Sequence, residues 1–146
     1  MSTTKWKYKN KLFKGDLEGN FGFVYIITNK INNSYYIGCK QLVSHSNAKV
    51  SKKRASELYT GVGRKPTRER KVKESDWSTY KGSSKSLKES ILEYGEENFT
   101  YTILHFFKTK QEMLLTEAKL IIETFLKKDP LVLNQWVSLK MYKSKL

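Results

Sequence analysis

The sequence predicts a small α+β domain on three observations: an aromatic β-hairpin near the start, a further strand-like run late in the chain, and helical periodicity around that run. The hairpin is the clearest element. The β-branched and aromatic run Phe23 to Thr28 is followed by the turn-prone Asn29-Lys30-Ile31-Asn32-Asn33-Ser34 and a second run, Tyr35 to Cys39, the pattern of two antiparallel strands joined by a tight turn. Tyr25 and Tyr36 are separated by an odd number of residues. With an even-residue loop both therefore fall on one face, and Tyr35 on the other.

Past the hairpin, Ala48 to Tyr59 has the spacing of a short helix, with Val50, Arg54 and Leu58 at i, i+4 and i+8, which puts an arginine on the apolar side. Thr60 to Lys71 holds glycine, proline and little apolar content, and reads as a mobile loop. A helix is expected from Ser86 to Tyr94, opened by the capping box Ser86-x-x-Glu89 and stopped by Gly95. Ser83, Ser84 and Lys85 cluster at its N-terminus. Free N–H groups, hydroxyls and a lysine there make a phosphate seat, although simple helix capping accounts for the same serines. Phe99 to Phe107 alternates as a third strand, with His105 expected as a packed strand residue rather than a catalyst. A longer helix follows, Thr109 to Lys128, with Met113, Leu114, Ala118, Ile121 and Phe125 as its apolar stripe. Glu117 falls inside that stripe, where an unpaired carboxylate is expensive, so it calls for a cation, a strong donor or a metal ion.

At 146 residues the chain is expected to form one domain with a proper core. Its 28 Lys and Arg against 14 Asp and Glu give a net charge of +14, which favours a polyanionic partner. No apolar run approaches the ~20 residues of a spanning helix. Met1 to Lys14 carries five lysines without an apolar stretch behind them, unlike a secretory signal. Cys39 is the single cysteine, which excludes an intramolecular disulfide and a multi-cysteine zinc site and fits a reducing cytoplasm. The charge is uneven: Lys40 to Lys85 holds 13 basic and four acidic residues, while Glu89 to Asp129 holds eight of the acids. Arg64, Lys65, Arg68 and Arg70 lie in the basic stretch, where they neutralise phosphates without choosing a sequence.

Taken in order, Phe23-Val24-Tyr25, Tyr36-Ile37-Gly38, the helix ending in glycine, the strand through Thr102-Ile103-Leu104 and the helix bearing Glu117 resemble the GIY-YIG nucleases over about Phe21 to Gln135. Asp76 to Lys85 followed by Tyr94-Gly95-Glu96-Glu97-Asn98-Phe99 is similar to phage-encoded, free-standing members related to homing endonucleases. Phe23 stands where the motif has its first glycine, with Gly22 beside it. The resemblance implies a three-stranded antiparallel sheet flanked by helices that hydrolyses DNA phosphodiester bonds with one divalent ion, Mg²⁺ or Mn²⁺. It makes Tyr25 and Tyr36 the motif tyrosines, Glu117 the metal ligand and Asn134 the late asparagine. Lys40 is the candidate basic residue after the second motif, and Arg54 the candidate first-helix arginine. The domain would then run from 21 to 136, with a basic N-terminal extension at 1–20, a basic insertion at about 44–76 and a short basic tail at 137–146.

The residue types suit that chemistry. Glu117 would hold the ion against a non-bridging phosphate oxygen and the leaving oxygen. Tyr25 would orient or deprotonate the attacking water, Tyr36 would position water or phosphate, and Lys40 or Arg54, or the metal through its water, would favour the phenolate. Arg54 also suits a bidentate contact with the scissile phosphate. Double-stranded DNA is the expected partner, in the host cytoplasm if the chain is phage-encoded; the sequence is silent on a homodimer. Two other classes compete: a catalytically silent nucleic-acid-binding module on the same fold, and a membrane-surface protein, which lacks the long basic amphipathic helix. Only the nuclease requires Tyr25, Tyr36 and Glu117 together. With no zinc finger or helix-turn-helix after the core, recognition is expected from Lys40 to Lys85, a partner or a dimer.

Overall fold

The computed structural model describes residues 5–138 and divides the chain into two compact units, Val43–Ser75 and the remainder. The larger unit is built on a sheet whose centre is β3 (Gly22–Asn29), a continuous apolar run because both of its faces are covered. It pairs antiparallel with β4 (Tyr35–Gln41) and with β7 (Phe99–Phe107). The turn between β3 and β4 uses the asparagines as their chemistry allows. Asn29 Oδ1 accepts from Ile31 N at 2.9 Å, Asn32 Oδ1 accepts from Ser34 N at 3.0 Å, and Asn33 takes a left-handed φ of 63°.

The expected three-stranded antiparallel sheet is thus present but is not the whole sheet, which has five strands in the order β2-β1-β7-β3-β4 and is mixed. β1 (Trp6–Tyr8) runs parallel to β7, and β2 (Lys11–Leu12) turns back antiparallel on β1. The segment expected as a basic extension therefore supplies two strands. Its alternation, Lys5-Trp6-Lys7-Tyr8-Lys9, is a strand pattern in miniature that the lysine content disguises. His105 lies exposed on β7 with its ring edge toward Phe107, not packed as expected.

Alternation along β3 separates two cores. Phe23, Tyr25 and Ile27 face a cluster with Trp6, Trp77, Leu87, Tyr101 and Ile103; Val24 faces Ile37, Met113 and Ile121. Leu87 comes from α2 (Lys85–Tyr94), whereas Met113 and Ile121 come from α3 (Lys110–Leu126). The sheet accordingly carries α2 on one face and α3 on the other. Burying each of these large side chains contributes about 1.5–3 kcal/mol. The motif glycine has a steric role here: Gly38 lies directly across from Tyr25, and a Cβ at Gly38 would collide with the tyrosine ring and hydroxyl. Gly38→Ala is expected to cost about 1–3 kcal/mol by overpacking, read as a lower denaturant midpoint. Gly22 is similarly confined, since a Cβ would lie 2.6 Å from both the Lys40 carbonyl oxygen and Met113 Sδ, while Phe23 is a fully buried aromatic of the core.

β4 is an outer strand, and an open edge invites pairing with other chains. The segment after α3 closes it: Tyr35 N donates to Leu131 O at 2.9 Å and Leu133 N to Tyr35 O at 2.7 Å. Tyr35 points to the face away from Tyr25, as its parity requires, and its hydroxyl donates to Asp129 Oδ2 at 2.5 Å.

The smaller unit is a two-stranded antiparallel ribbon, β5 (Val43–Lys49) and β6 (Arg68–Glu74), with α1 (Lys52–Leu58) between them. The helix expected over Ala48 to Tyr59 is shorter, because Ala48 and Lys49 are taken by β5 and Ser51 caps α1 by accepting from Arg54 N at 3.2 Å. Likewise, Arg68 to Lys71, expected in a loop, are strand residues.

Candidate functional site

Along the outer strand β4 a cleft of about 300 Å³ is lined by Tyr36, Ser83 to Ser86, Glu117 and Asn134, with Gln135, Trp136 and Ser138 at its end. Its position follows from the layers. α2 and α3 cover opposite faces of the sheet, so residues from both can meet only around its edge.

Glu117 reaches the cleft from α3, between Met113 and Ile121, and burial raises its pKa above the ordinary carboxylate value, partly offset by a hydrogen bond from the Cys39 thiol. Among the described residues it makes no ion pair. The partner its sequence position demands is therefore, among the described residues, the weak donor Cys39. Burial and Glu117 together push the Cys39 thiol well above its ordinary value. A half-buried carboxylate held by one weak donor retains a strong preference for a cation. The described residues contain no group of three His, Cys, Asp or Glu able to cage a metal. One carboxylate beside an anion-binding helix end fits a mostly hydrated Mg²⁺, an ion that keeps its waters and shares phosphate oxygens. It does not fit a zinc site or a calcium cage.

The helix end is α2. It starts at Lys85 rather than Ser86, so the expected capping box does not form; Ser84 is the N-cap and its side chain makes no capping hydrogen bond. No acid lies in the first turn. The positive end of the helix and the Ser84 hydroxyl are thus left open to an anion, while the exposed Lys85 makes only a long i,i+4 contact of 4.0 Å with Glu89.

The two motif tyrosines share a face as the parity requires, with ring centroids 6.3 Å apart, but their environments differ. Tyr36 is half-buried and lines the cleft. Burial, then the negative charge of Glu117, raise its pKa to about 12. Tyr25 is 1% exposed, packed against Trp6 and hydrogen-bonded to Tyr80, and burial holds its pKa well above the ordinary tyrosine value. Tyr25, expected to handle the water, lies buried in the core and does not line the cleft, and neither phenol is tuned toward phenolate. The cation expected to do so, Lys40, is engaged elsewhere: its Nζ lies 2.6 Å from Asp76 Oδ1 and 4.4 Å from the centre of the Tyr80 ring. The Lys40 hydrogen bond holds Asp76 below the usual carboxylate range.

Asn134 lines the cleft, yet both ends of its amide are used by the sheet edge: Oδ1 accepts from Ile37 N at 2.9 Å and Nδ2 donates to Ile37 O at 2.8 Å. It substitutes for a neighbouring strand and positions the segment beside Glu117. Arg54, expected at the scissile phosphate, belongs to the smaller unit. There its Nη2 and Nε contact Glu69 at 2.6 and 3.2 Å and its Nη1 contacts Glu57 at 3.2 Å. Arg64, Lys65, Arg68 and Arg70 are in the same unit and are largely exposed. Sequence reasoning missed Tyr80, Asp76 and Trp136. The aromatic spacing of Asp76-Trp77-Ser78-Thr79-Tyr80 was the available signal for the first two.

The family model described as "Putative endonuclease segE, GIY-YIG domain" matches residues 6–131. Two relatives from Enterobacteria phage T4 are similar to the chain. "Putative endonuclease segB" is 35% identical over 106 residues, covering 73% of this chain and 34% of the relative. "Putative endonuclease segE" is 32% identical over 107 residues, covering 73% and 37%. The chain spans about a third of the length of these two relatives. No solved structure matches it.

Proposed function

Because the chain belongs to the GIY-YIG endonuclease family, we propose that it is a divalent-metal-dependent endonuclease of double-stranded DNA, of the free-standing homing type. The observation that carries this is the single cleft that holds Tyr36, Glu117 and the unneutralised N-terminus of α2 together. The α2 amides, Ser83, Ser84 and Lys85 seat the scissile phosphate. Glu117 holds one Mg²⁺ or Mn²⁺, which when bound supplies positive charge to the phosphate oxygens and draws the nearby phenol toward ionisation.

Tyr36 orients the attacking water and, in its ionised fraction, accepts the water proton as the new P–O bond forms and the ester oxygen leaves. Tyr25 is a positioning residue: with Tyr80 it backs the Tyr36 ring, and Lys40, held by Asp76, steadies the Tyr80 ring. Asn134 positions the cleft wall, while Arg54 braces α1 against β6. Arg64, Lys65, Arg68 and Arg70 contact the DNA. No described helix is long and apolar enough to cross a membrane.

Supercoiled plasmid incubated with Mg²⁺, Mn²⁺ or EDTA tests the whole proposal. Nicked or linear product only with metal supports it; tight binding without cutting of linear, branched or single-stranded DNA means a binding module. Tyr36→Phe is expected to slow single-turnover cleavage about 10²-fold with DNA affinity unchanged. With a pKa near 12, the phenolate is a minor form at neutral pH and grows about tenfold per unit as pH rises. Wild-type cleavage should therefore climb between pH 6.5 and 8.5, while the variant stays nearly flat. A variant that retains the wild-type slope would remove Tyr36 from the proton transfer.

A further inference from the structure

The smaller unit, Val43–Ser75, carries ten Lys and Arg against three Glu, a net +7 that is half the charge of the chain. A two-stranded ribbon alone is marginal in water, and this one buries almost nothing: of its described residues only Ala55 is buried. Its strands are therefore not built around a core of their own. What they present is a pair of faces, and the register between β5 and β6 determines the composition of each.

The ladder pairs Val43 with Glu74, His45 with Val72, Asn47 with Arg70 and Lys49 with Arg68, and these eight side chains share one face, with Glu74 as its one acid at the end nearest Val43. The intervening pairs, Ser44 with Lys73, Ser46 with Lys71 and Ala48 with Glu69, form the other. α1 attaches to the second face, where Arg54 grips Glu69 and both Ala48 and Glu69 are half-buried. On the first face every residue but the half-buried Val43 is exposed. Arg70 is also directed: its Nη2 donates to His45 Nδ1 at 3.1 Å, which holds the guanidinium over the ribbon rather than away from it.

From this composition we infer that the exposed His45–Asn47–Lys49–Arg68–Arg70–Val72 face is a sequence-reading surface that enters the major groove of duplex DNA. It rests on the assignment of the chain as a DNA-cutting protein and adds how the target is chosen. A phosphate-binding face needs only cations, and Lys71 and Lys73 on the opposite face meet that need. The first face instead combines two arginines, which match the O6 and N7 acceptors of guanine, with an asparagine, which matches N6 and N7 of adenine, and an exposed valine able to contact a thymine methyl. The dimensions agree. Two strands about 4.8 Å apart fit a groove about 12 Å wide that admits a β-ribbon. Asn47 and Arg70 are directly opposite each other and so would address adjacent or facing bases.

The test selects by binding, so it does not depend on catalysis. A pool of random-sequence duplexes is bound by the full chain with Ca²⁺ in place of Mg²⁺, and the bound molecules are sequenced for wild type, Asn47→Ala, Arg70→Ala and Lys71→Ala; these side chains are exposed, so the fold should survive. Arg70→Ala is expected to lose about tenfold of a guanine preference at one position, and Asn47→Ala a similar adenine preference close by. Lys71→Ala should weaken every sequence alike and keep the preferences. Methylating guanine N7 should weaken wild type but not Arg70→Ala. The inference is overturned by a wild type without base preference, by preferences that survive both face substitutions, or by equal losses on duplex RNA, whose major groove side chains cannot read. A chain that selects but never cuts would instead refute the endonuclease, and one that cuts without selecting would refute only the reading face.

Discussion

Glu117→Gln is expected to abolish cleavage while leaving the protein more stable at neutral pH. The activity loss follows from the donor set. Glu117 is the one carboxylate among the described residues of the cleft lining, so without it the proposed ion would lose its anchor beside the phosphate. Removal of a single transition-state charge partner costs about 10²–10³-fold in mutagenesis, and loss of the ion should reach at least the upper end. The stability gain follows from the pKa. Burial raises the Glu117 value, so the folded state holds this proton more tightly than the unfolded state does. Stability from this group is then full at pH below the ordinary carboxylate value and is lost as pH rises through the raised value, so that at neutral pH the half-buried carboxyl group is a net penalty. Glutamine keeps the shape and the Cys39 contact without the charge. Thermal melts in EDTA should therefore coincide at pH 4 and favour the variant at pH 7. Mg²⁺ should raise the wild-type Tm and not that of the variant, because a ligand stabilises only the state that binds it. A wild-type melt insensitive to Mg²⁺ at concentrations that support cutting would separate metal binding from Glu117.

Trp6→Ala should produce the largest loss of stability in the chain, about 3–5 kcal/mol. Trp6 is 1% exposed, and its ring meets those of Phe23, Tyr25 and Tyr101 at centroid distances of 5.2, 4.9 and 5.4 Å. Its indole N–H also donates to Trp77 O at 3.0 Å and to Tyr80 O at 3.2 Å. Truncation would open a cavity in the main core and remove the indole donor from the Tyr80 and Trp77 carbonyls, of which the latter keeps the Tyr80 amide. Urea unfolding should show a lower midpoint with an unchanged slope. Trp6→Phe, which keeps a ring but no N–H, should fall between. Because the indole also ties down the turn before α2, the alanine variant should lose cleavage beyond its loss of folded protein. A wild-type midpoint would mean that the N-terminal strand is not part of the core.

The elements with strong local signals were legible from the chain. Phe99–Phe107 forms a strand at the expected residues, the late helix lies within its expected span, and Tyr25 and Tyr36 share a face because strand parity and an Asn-rich turn determine it. Glu117 was conspicuous as a carboxylate in an apolar stripe, and Ser83 to Lys85 as a polar cluster ahead of a helix. The N-terminal strands were not legible. Three residues with alternating lysines make a weak local pattern, and their place beside β7 depends on a parallel pairing with residues some 95 positions away.

The sequence by itself determined the α+β class, the family, the basic character of Val43–Ser75 and which groups are candidates for the site, since all of these reside in residue type, order and short-range periodicity. Tertiary structure alone decided which groups meet. Burial against Trp6 removes Tyr25 from the cleft, Asp76 and Tyr80 occupy Lys40, Glu69 occupies Arg54, and Ile37 takes both ends of the Asn134 amide. Solvation and long-range partners decide whether a side chain acts as a catalyst or a brace, and neither is encoded within any local window of the chain.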